Sequence, residues 1–266
     1  MPRARRRPRV STLLVVAAVA VTVSVVLTRL GGGPAAPTCQ VADPSGQTYG
    51  LDPTQSQNAS IIAAVAYRKR LPDHAVTVAL AAALQESKLV DLDHGDRDSL
   101  GLFQQRPSEG WGTPAQILDP AYAASAFYDR LVSVPGWQDL AVGAVAQSVQ
   151  LSAAPGAYAS WEPEARALAN ALTGEETAGL TCRLTAWGGA TPSSGALAGA
   201  AQTEFGSDLL GQTVPPKVGW QLASWAVAHA YNYHLARVSF DGRTWDSTSG
   251  TWRADPAAGS AVTAAS

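Results

Sequence analysis

The chain has 266 residues, enough for about one or two domains. Apolar residues make up 46% of the chain and charged residues 15%, which excludes a disordered or fibrous protein. The net charge of −2, the two cysteines and the four histidines argue against a nucleic-acid binder, a zinc ribbon and an iron–sulfur protein.

The N-terminal segment predicts export across a membrane. Residues 1–30 hold six arginines and no acidic residue, so the rest of the chain carries 13 basic and 21 acidic residues. A basic tail over 1–9 precedes Val10–Leu27, an uncharged run of 18 residues that is just long enough to cross a bilayer core. We predict a signal anchor over 10–28 with the N-terminus in the cytoplasm and the bulk of the chain outside the cell. Secretion after cleavage of a signal peptide is the alternative.

Export makes a disulfide chemically possible. Residues 29–55 are rich in small and polar residues and are predicted to form a linker. Cys39 and Cys182 lie at the two ends of the region that follows, and we predict that they pair and close it. The alternative is two free, buried thiols.

Helical patterns run almost without a break from residue 56 to residue 172. A first helix is predicted to end at Arg70, and Asp73 can cap a second helix over His74–Lys88. Ala75–Leu84 is apolar on nearly every side and therefore predicts a buried central helix. Three further helical patterns cover Pro120–Leu131, Gln138–Ser152 and Tyr158–Leu172. We predict a loop over Asp91–Trp111 and no strand before residue 190.

Glu86 is out of place at the end of this apolar helix. Burial disfavours the ionised form of a carboxyl group, and a protonated carboxyl can donate a proton to a glycosidic oxygen. The alternative is an ordinary glutamate at a helix end that faces solvent beside Lys88.

The residues after Glu86 carry a second motif. Glu86-Ser87 is followed, 15 residues after the glutamate, by Gly101-Leu102-Phe103-Gln104-Gln105. This pair of motifs resembles the lysozyme-like superfamily of lytic transglycosylases and goose-type lysozymes, in particular an actinobacterial subgroup. In that superfamily a catalytic Glu-Ser closes a helix and a Gly-Leu-Met-Gln motif follows. Phe103 stands here in place of the methionine, and the resemblance covers about residues 55–175.

The resemblance implies a role for each matched residue. Glu86 is expected to be the catalytic acid and base, Gly101 to let the backbone approach the sugar, and Gln104 to contact the saccharide or to position the Glu86 loop. Aromatic residues that could stack on sugars, or simply belong to the core, are Trp111, Tyr122 and Tyr158. The remaining residues expected to bind substrate are Ser87, Leu102, Phe103, Gln105 and Gln147.

The chain departs from the family pattern in two places. The later Ala-Tyr-Asn-x-Gly motif is missing, and Gln147 or Gln150 could replace its polar contact. The loop after Glu86 is unusually acidic, and there Asp96 or Asp98 could be the second carboxylate of an inverting hydrolase. Calcium binding is one alternative, although the order of the acidic residues is not that of an EF-hand. The other is a solvated loop in which Asp98 pairs with Arg97 or Arg106.

The C-terminal part predicts a separate small unit. A linker over 183–196 precedes an α+β module over 197–253, with strands near Arg237–Asp241 and Arg243–Ser247, and a disordered tail over 254–266. Half of the eight tryptophans lie in this module, where they form its core or stack on carbohydrate. His229 and His234 are five residues apart and make a poor metal site.

These observations and the resemblance together define the expected protein. The expected fold is mainly α, with a lysozyme-like catalytic domain over 56–182, an N-terminal transmembrane or signal helix and the small C-terminal module. The expected activity is cleavage of peptidoglycan glycan strands, and the alternative is a non-catalytic module that binds the cell wall or a partner protein. A transport or metal-handling role fits poorly. Neither a cofactor nor a metal is expected, nor is nucleic acid among the partners, and no oligomeric state is predicted.

Overall fold

A computed structural model of the chain describes residues 36–151, 156–193 and 195–266. Residues Pro37–Ser266 form one compact unit. The predicted basic tail over 1–9 and the predicted signal anchor over 10–28 lie outside the described residues. Within the described ranges, no helix combines the length and the apolar character that a membrane span requires.

The fold is mixed α/β. Helices account for 46% of the structure and strands for 14%, and the strands form two antiparallel sheets. The prediction of a mainly α chain is therefore wrong. Each strand has only three to five residues, which is too short for an alternating apolar pattern to stand out in the sequence.

The first sheet joins the two ends of the helical region. Its strands are β1 (Thr38–Ala42), β2 (Thr48–Leu51) and β3 (Leu180–Arg183), in the antiparallel order β2-β1-β3. Cys39 on β1 lies opposite Cys182 on β3, and the two form a disulfide, which confirms the predicted pairing. The predicted linker over 29–55 is wrong where it is described, because β1 finds its partner 143 residues along the chain.

Between β2 and β3 the described chain is helical. The α-helices are α1 (Pro53–Arg68), α2 (Asp73–Ser87), α3 (Pro114–Ile117), α4 (Pro120–Leu131), α5 (Val142–Gln150) and α6 (Glu162–Leu172). Short 3₁₀ turns lie at Pro107–Glu109, Trp137–Asp139 and Tyr158–Trp161. Asp52 caps α1, since its carboxylate accepts the backbone N–H of Gln55 at 2.9 Å.

Helix α2 is the buried central helix that the sequence predicts. Every residue from Ala75 to Leu84 is buried, and the helix packs against α5 and α6. The helix ends at Ser87 because Lys88 adopts a left-handed backbone conformation, with a φ of 59°. This ending brings Glu86 to the surface of the helical core, while Ser87 stays buried.

The C-terminal residues pack onto the helices. They form α7 (Ala196–Phe205), α8 (Pro216–Tyr233) and the sheet β6-β5-β4-β7, whose strands are β4 (Arg237–Phe240), β5 (Arg243–Asp246), β6 (Thr251–Ala254) and β7 (Thr263–Ala265). The two predicted strands agree with β4 and β5 within one residue. The prediction of a disordered tail is wrong over Thr263–Ala265, because β7 pairs with β4 and the preceding Val262 is buried.

The tryptophans of this part are core residues. Trp220, Trp225 and Trp245 are buried, and Trp252 packs edge-on against Trp220. The stretch 183–196 is not isolated from the rest of the unit, because the Leu184 backbone N–H donates to the Ser247 carbonyl at 2.8 Å. Carbohydrate stacking on these four rings is therefore not supported.

Candidate active site

Glu86 lies at the rim of a cleft because of the way α2 ends. The preceding residues of α2 are buried, whereas Glu86 is only partly covered. The Lys88 ammonium lies 4.0 Å from the centre of the Trp161 ring and donates to the Leu84 carbonyl at 2.9 Å, which holds the end of the helix in place.

A tyrosine orients the Glu86 carboxylate. The Tyr158 hydroxyl donates to Glu86 Oε1 at 2.5 Å, and Tyr158 itself is fully buried. The 3₁₀ turn that carries this tyrosine is fixed to α2, since Trp161 Nε1 donates to Gln85 Oε1 at 2.8 Å. Tyr158 was predicted as a sugar-stacking residue, but its ring is covered by protein and its hydroxyl contacts the catalytic candidate.

The second motif forms a tight turn beside Glu86. Leu100 and Gln105 exchange two backbone hydrogen bonds of 2.9 Å across the turn. Ser87 Oγ donates to the Leu102 carbonyl at 2.7 Å, and Gln150 Nε2 donates to the Phe103 carbonyl at 2.8 Å. The two motifs therefore contact each other.

Gly101 has a steric role in this turn. Its φ is +73°, and a Cβ there would lie 2.5 Å from the Ile117 carbonyl oxygen. Leu102 and Phe103 are fully buried, and the Gln105 amide donates to the Ala123 carbonyl at 3.0 Å. These residues shape the turn and do not line the cleft, whereas Gln104 does.

The cleft itself has a volume of about 500 Å³ and a largely polar wall. The residues that line it are Glu86, Asp96, Ser99, Gln104, Arg106, Glu109, Trp111, Gln150 and Leu151. It is large enough for part of a saccharide chain.

No protein-family model matches the chain, and no curated protein matches it. The resemblance to lytic transglycosylases therefore rests on the residues quoted above.

Trp111 offers little free surface for a sugar. Its ring is 6% exposed, and the Arg130 guanidinium covers one face at 3.4 Å from the ring centre. Tyr122 packs against Gly112 and does not line the cleft. Of the three predicted stacking residues, only Trp111 reaches the cleft.

The two glutamines of α5 differ in position. Gln150 lines the cleft, whereas Gln147 does not. The sequence left open which of them could replace the missing polar contact, and the structure brings Gln150 close to Glu86.

The acidic loop is ordered by Arg106. Arg106 Nε donates to Asp98 Oδ1 at 2.8 Å, and the Ser108 backbone N–H donates to Asp98 Oδ2 at 2.8 Å. These bonds, the Ser108 N–H first and then Arg106, lower the pKa of Asp98 to about 2. Asp98 is therefore a structural acceptor that does not line the cleft, whereas Asp96 does line it.

A third carboxylate of this loop is half-buried behind the turn. Desolvation, reinforced by the nearby Asp119 carboxylate, raises the pKa of Asp91 to about 6. Asp91 lies outside the cleft lining. Within the described part of the chain, no group of three or more histidine, cysteine, aspartate or glutamate side chains could hold a metal ion.

Sequence reasoning missed three residues of the cleft wall: Ser99, Glu109 and Leu151. Arg106 was named only as a possible partner of Asp98, and that ion pair is present. For the three missed residues the sequence offers no signal, because their place in the wall depends on how the loop and the end of α5 fold.

Proposed function

We propose that the chain cleaves the glycan strands of peptidoglycan and that Glu86 is its catalytic acid and base. The observation that carries this proposal is the position of the Glu86 carboxylate in a polar cleft of about 500 Å³, where Tyr158 holds one of its oxygens. The contact between Ser87 and the Leu102 carbonyl supports it further, because it joins the two motifs on which the resemblance rests.

The proposed reaction needs one carboxylate. Glu86 donates its proton to the glycosidic oxygen as the bond from that oxygen to C1 breaks. The resulting carboxylate takes the proton of the C6 hydroxyl as O6 bonds to C1. The products are a 1,6-anhydro-muramyl end and a free hydroxyl on the leaving sugar, and no water is consumed.

The surroundings of the loop carboxylates favour this route over an inverting hydrolase. Asp98 is tied to Arg106 and Ser108, and its low pKa makes it a weak base. Asp96 lines the cleft, but its side chain is 93% exposed and has no neighbour that fixes its orientation toward a water molecule. We therefore expect Asp96→Asn to retain substantial turnover.

The second candidate function is a non-catalytic module that binds cell-wall glycan or a partner protein. It is favoured by the absence of the Ala-Tyr-Asn-x-Gly motif, in whose region α5 carries glutamines. The retained Glu86, with its carboxylate held by Tyr158, argues for the enzyme.

The site of action follows from the predicted N-terminal segment. We propose that residues 10–28 anchor the protein in the cell membrane and that the cleft works on the outer side. Secretion after signal cleavage is the alternative, and it leaves the proposed reaction unchanged.

The test is the substitution Glu86→Gln in the full chain. It removes the transferable proton while nearly preserving the shape of the side chain, and we expect turnover to fall by about 10²- to 10⁴-fold. The assay is mass spectrometry of the muropeptides released from purified peptidoglycan. The matched control is Glu164→Gln, which neutralises a half-buried carboxylate on α6 outside the cleft and should keep activity.

The outcome separates the two candidates. Glycan binding without any release by the wild-type protein would favour the binding module. A folded Glu86→Gln variant with full activity would contradict the role assigned to Glu86. Incorporation of labelled oxygen from water into the products would replace the anhydro route by hydrolysis.

A further inference from the structure

The charge of the cleft wall restricts the saccharide that it can hold. Three carboxylates line the cleft, Glu86, Asp96 and Glu109, against a single cation, Arg106. No lysine or histidine is among the lining residues that the structure describes. An anionic group on a bound glycan would therefore meet an excess of negative charge.

The one cation of the wall is already engaged. Arg106 donates through Nε to Asp98, through Nη1 to Glu109 and through Nη2 to Ser108 Oγ. It is therefore a poor site for a carboxylate of the substrate, since any new acceptor would have to displace an existing one.

Asp96 keeps most of its charge available. Its closest cationic contact is Arg97 Nε at 3.9 Å, and the two side chains are 93% and 71% exposed. An exposed ion pair of this kind contributes little to stability, because water screens both charges. A second cation can therefore bind to Asp96 without breaking a strong pair.

Ser99 offers a second hydrogen-bonding group at the same place. Ser99 is 6% exposed as a residue and lines the cleft, and its hydroxyl is not among the enclosed, unpartnered side-chain atoms of the described chain, so it faces the open cleft. Its backbone N–H donates to the Asp96 carbonyl at 3.0 Å, so the hydroxyl and the Asp96 carboxylate belong to one turn of the loop. A bound group that displaces water from this side of the cleft can take over the hydrogen bonds of the hydroxyl.

We infer that the sugar bound beside Asp96 and Ser99 carries a free amine, so that the substrate class is a glycan strand containing N-deacetylated hexosamine. A protonated amine has three donors and can give one to the Asp96 carboxylate and one to Ser99 Oγ. An acetamido group has one N–H and a methyl group that needs apolar contact. Among the described residues of the wall, the large apolar side chains are Trp111, which Arg130 covers, and Leu151.

The preference for a saccharide with free amines over an acetylated one can be measured by binding alone, without catalysis. Calorimetry on the full chain with Glu86→Gln would compare glucosamine hexamers with N-acetylglucosamine hexamers at about pH 6, where an amine of this kind is protonated. We expect the glucosamine hexamer to bind about two- to fivefold more tightly, which is the range for a solvent-exposed ion pair. The preference should shrink as salt is raised.

Substitutions in the same background locate the effect. Asp96→Asn and Ser99→Ala should each reduce the preference. The matched control is Asp93→Asn, which removes an exposed carboxylate of the same loop that contacts His94 and does not line the cleft. Equal affinity for the two hexamers, or tighter binding of the acetylated one, would overturn the inference. So would a loss of preference in Asp93→Asn as large as in Asp96→Asn.

A cleavage assay then connects the inference to the proposed function. Of the experiments described for this inference, only this assay depends on the proposed function. Peptidoglycan would be compared as isolated, after chemical de-N-acetylation, and after the same material is re-acetylated. Faster release from the de-N-acetylated sample, reversed by re-acetylation, supports the inference. Equal release from all three samples contradicts it and leaves the enzyme intact. No release from any sample, together with an amine preference in binding, contradicts the enzyme and leaves the inference intact.

Discussion

Replacing Tyr158 by phenylalanine tests whether the hydroxyl on Glu86 matters for turnover. Tyr158 is fully buried, so Tyr158→Phe should leave the ring packed in place and remove only the donor at 2.5 Å from Glu86 Oε1. Without its orienting hydrogen bond the Glu86 side chain samples other rotamers, and fewer of them place its carboxyl group beside the glycosidic oxygen.

The size of the effect follows from the kind of bond that is lost. A hydrogen bond to a charged group contributes about 1.5–3 kcal/mol. If all of it serves to orient Glu86, turnover falls by about tenfold to 150-fold, since each 1.36 kcal/mol changes a rate tenfold. Tyr158 does not line the cleft, so kcat should fall while KM stays near the wild-type value.

The matched control is Tyr128→Phe. Tyr128 is also fully buried, and its hydroxyl donates to the Ile62 carbonyl at 3.1 Å, on the side of α1. Both variants should lose about 1–2 kcal/mol of unfolding free energy in a denaturant titration, because each gives up one buried hydrogen bond. Only Tyr158→Phe should lose turnover in the muropeptide assay. Wild-type turnover in folded Tyr158→Phe, or an equal loss in Tyr128→Phe, would refute the reasoning.

Three further predictions concern stability. Replacing both Cys39 and Cys182 by alanine should lower the free energy of unfolding by up to about 5 kcal/mol, since the disulfide closes a separation of 143 residues; an unchanged urea midpoint would contradict this. Asp91→Asn should raise the free energy of unfolding by about 1 kcal/mol at about pH 7 and leave it unchanged at about pH 4. Melting curves recorded at both pH values measure the difference. The folded-state pKa of Asp91 is raised to about 6, so its contribution is most favourable when it is protonated and becomes unfavourable as the pH rises through that value. Gly101→Ala should lower the free energy of unfolding by more than about 2 kcal/mol and reduce turnover. The alanine Cβ would strain the left-handed backbone and clash with the Ile117 carbonyl oxygen. A variant that melts at the wild-type temperature would show that this strain is absent.

Local patterns in the sequence were sufficient for several features. The uninterrupted apolar run Ala75–Leu84 determined a buried helix, because no face of it could be left in water. The sequence also placed Glu86 at the end of this helix and turn formers around Gly101, and the structure brings these two segments into contact. The Cys39–Cys182 disulfide could be predicted from the presence of two cysteines at the ends of the helical region, together with the prediction that the chain is exported.

The short strands could not be predicted in the same way. β1 alternates exposed and buried residues over only five positions, and its partners are β2 nearby and β3 at the far end of the helical region. Such a strand is stabilised by pairing and not by its own propensity. The same holds for β7, whose small residues look like a flexible tail until they pair with β4.

The composition of the active-site candidate was decided by tertiary structure. Tyr158 is 72 residues from Glu86 in the chain, and nothing local shows that its hydroxyl would reach the carboxylate. Whether Gln150 or Gln147 lines the cleft depends on how α5 is rotated against the turn. The different roles of Asp96 and Asp98 depend on the position of Arg106, which binds Asp98. The sequence by itself determined which residue types were available and which helix carries Glu86. Only the packing of distant segments decided which side chains surround that carboxylate, because hydrogen bonds and charge act over a few ångströms in space, whatever the separation along the chain.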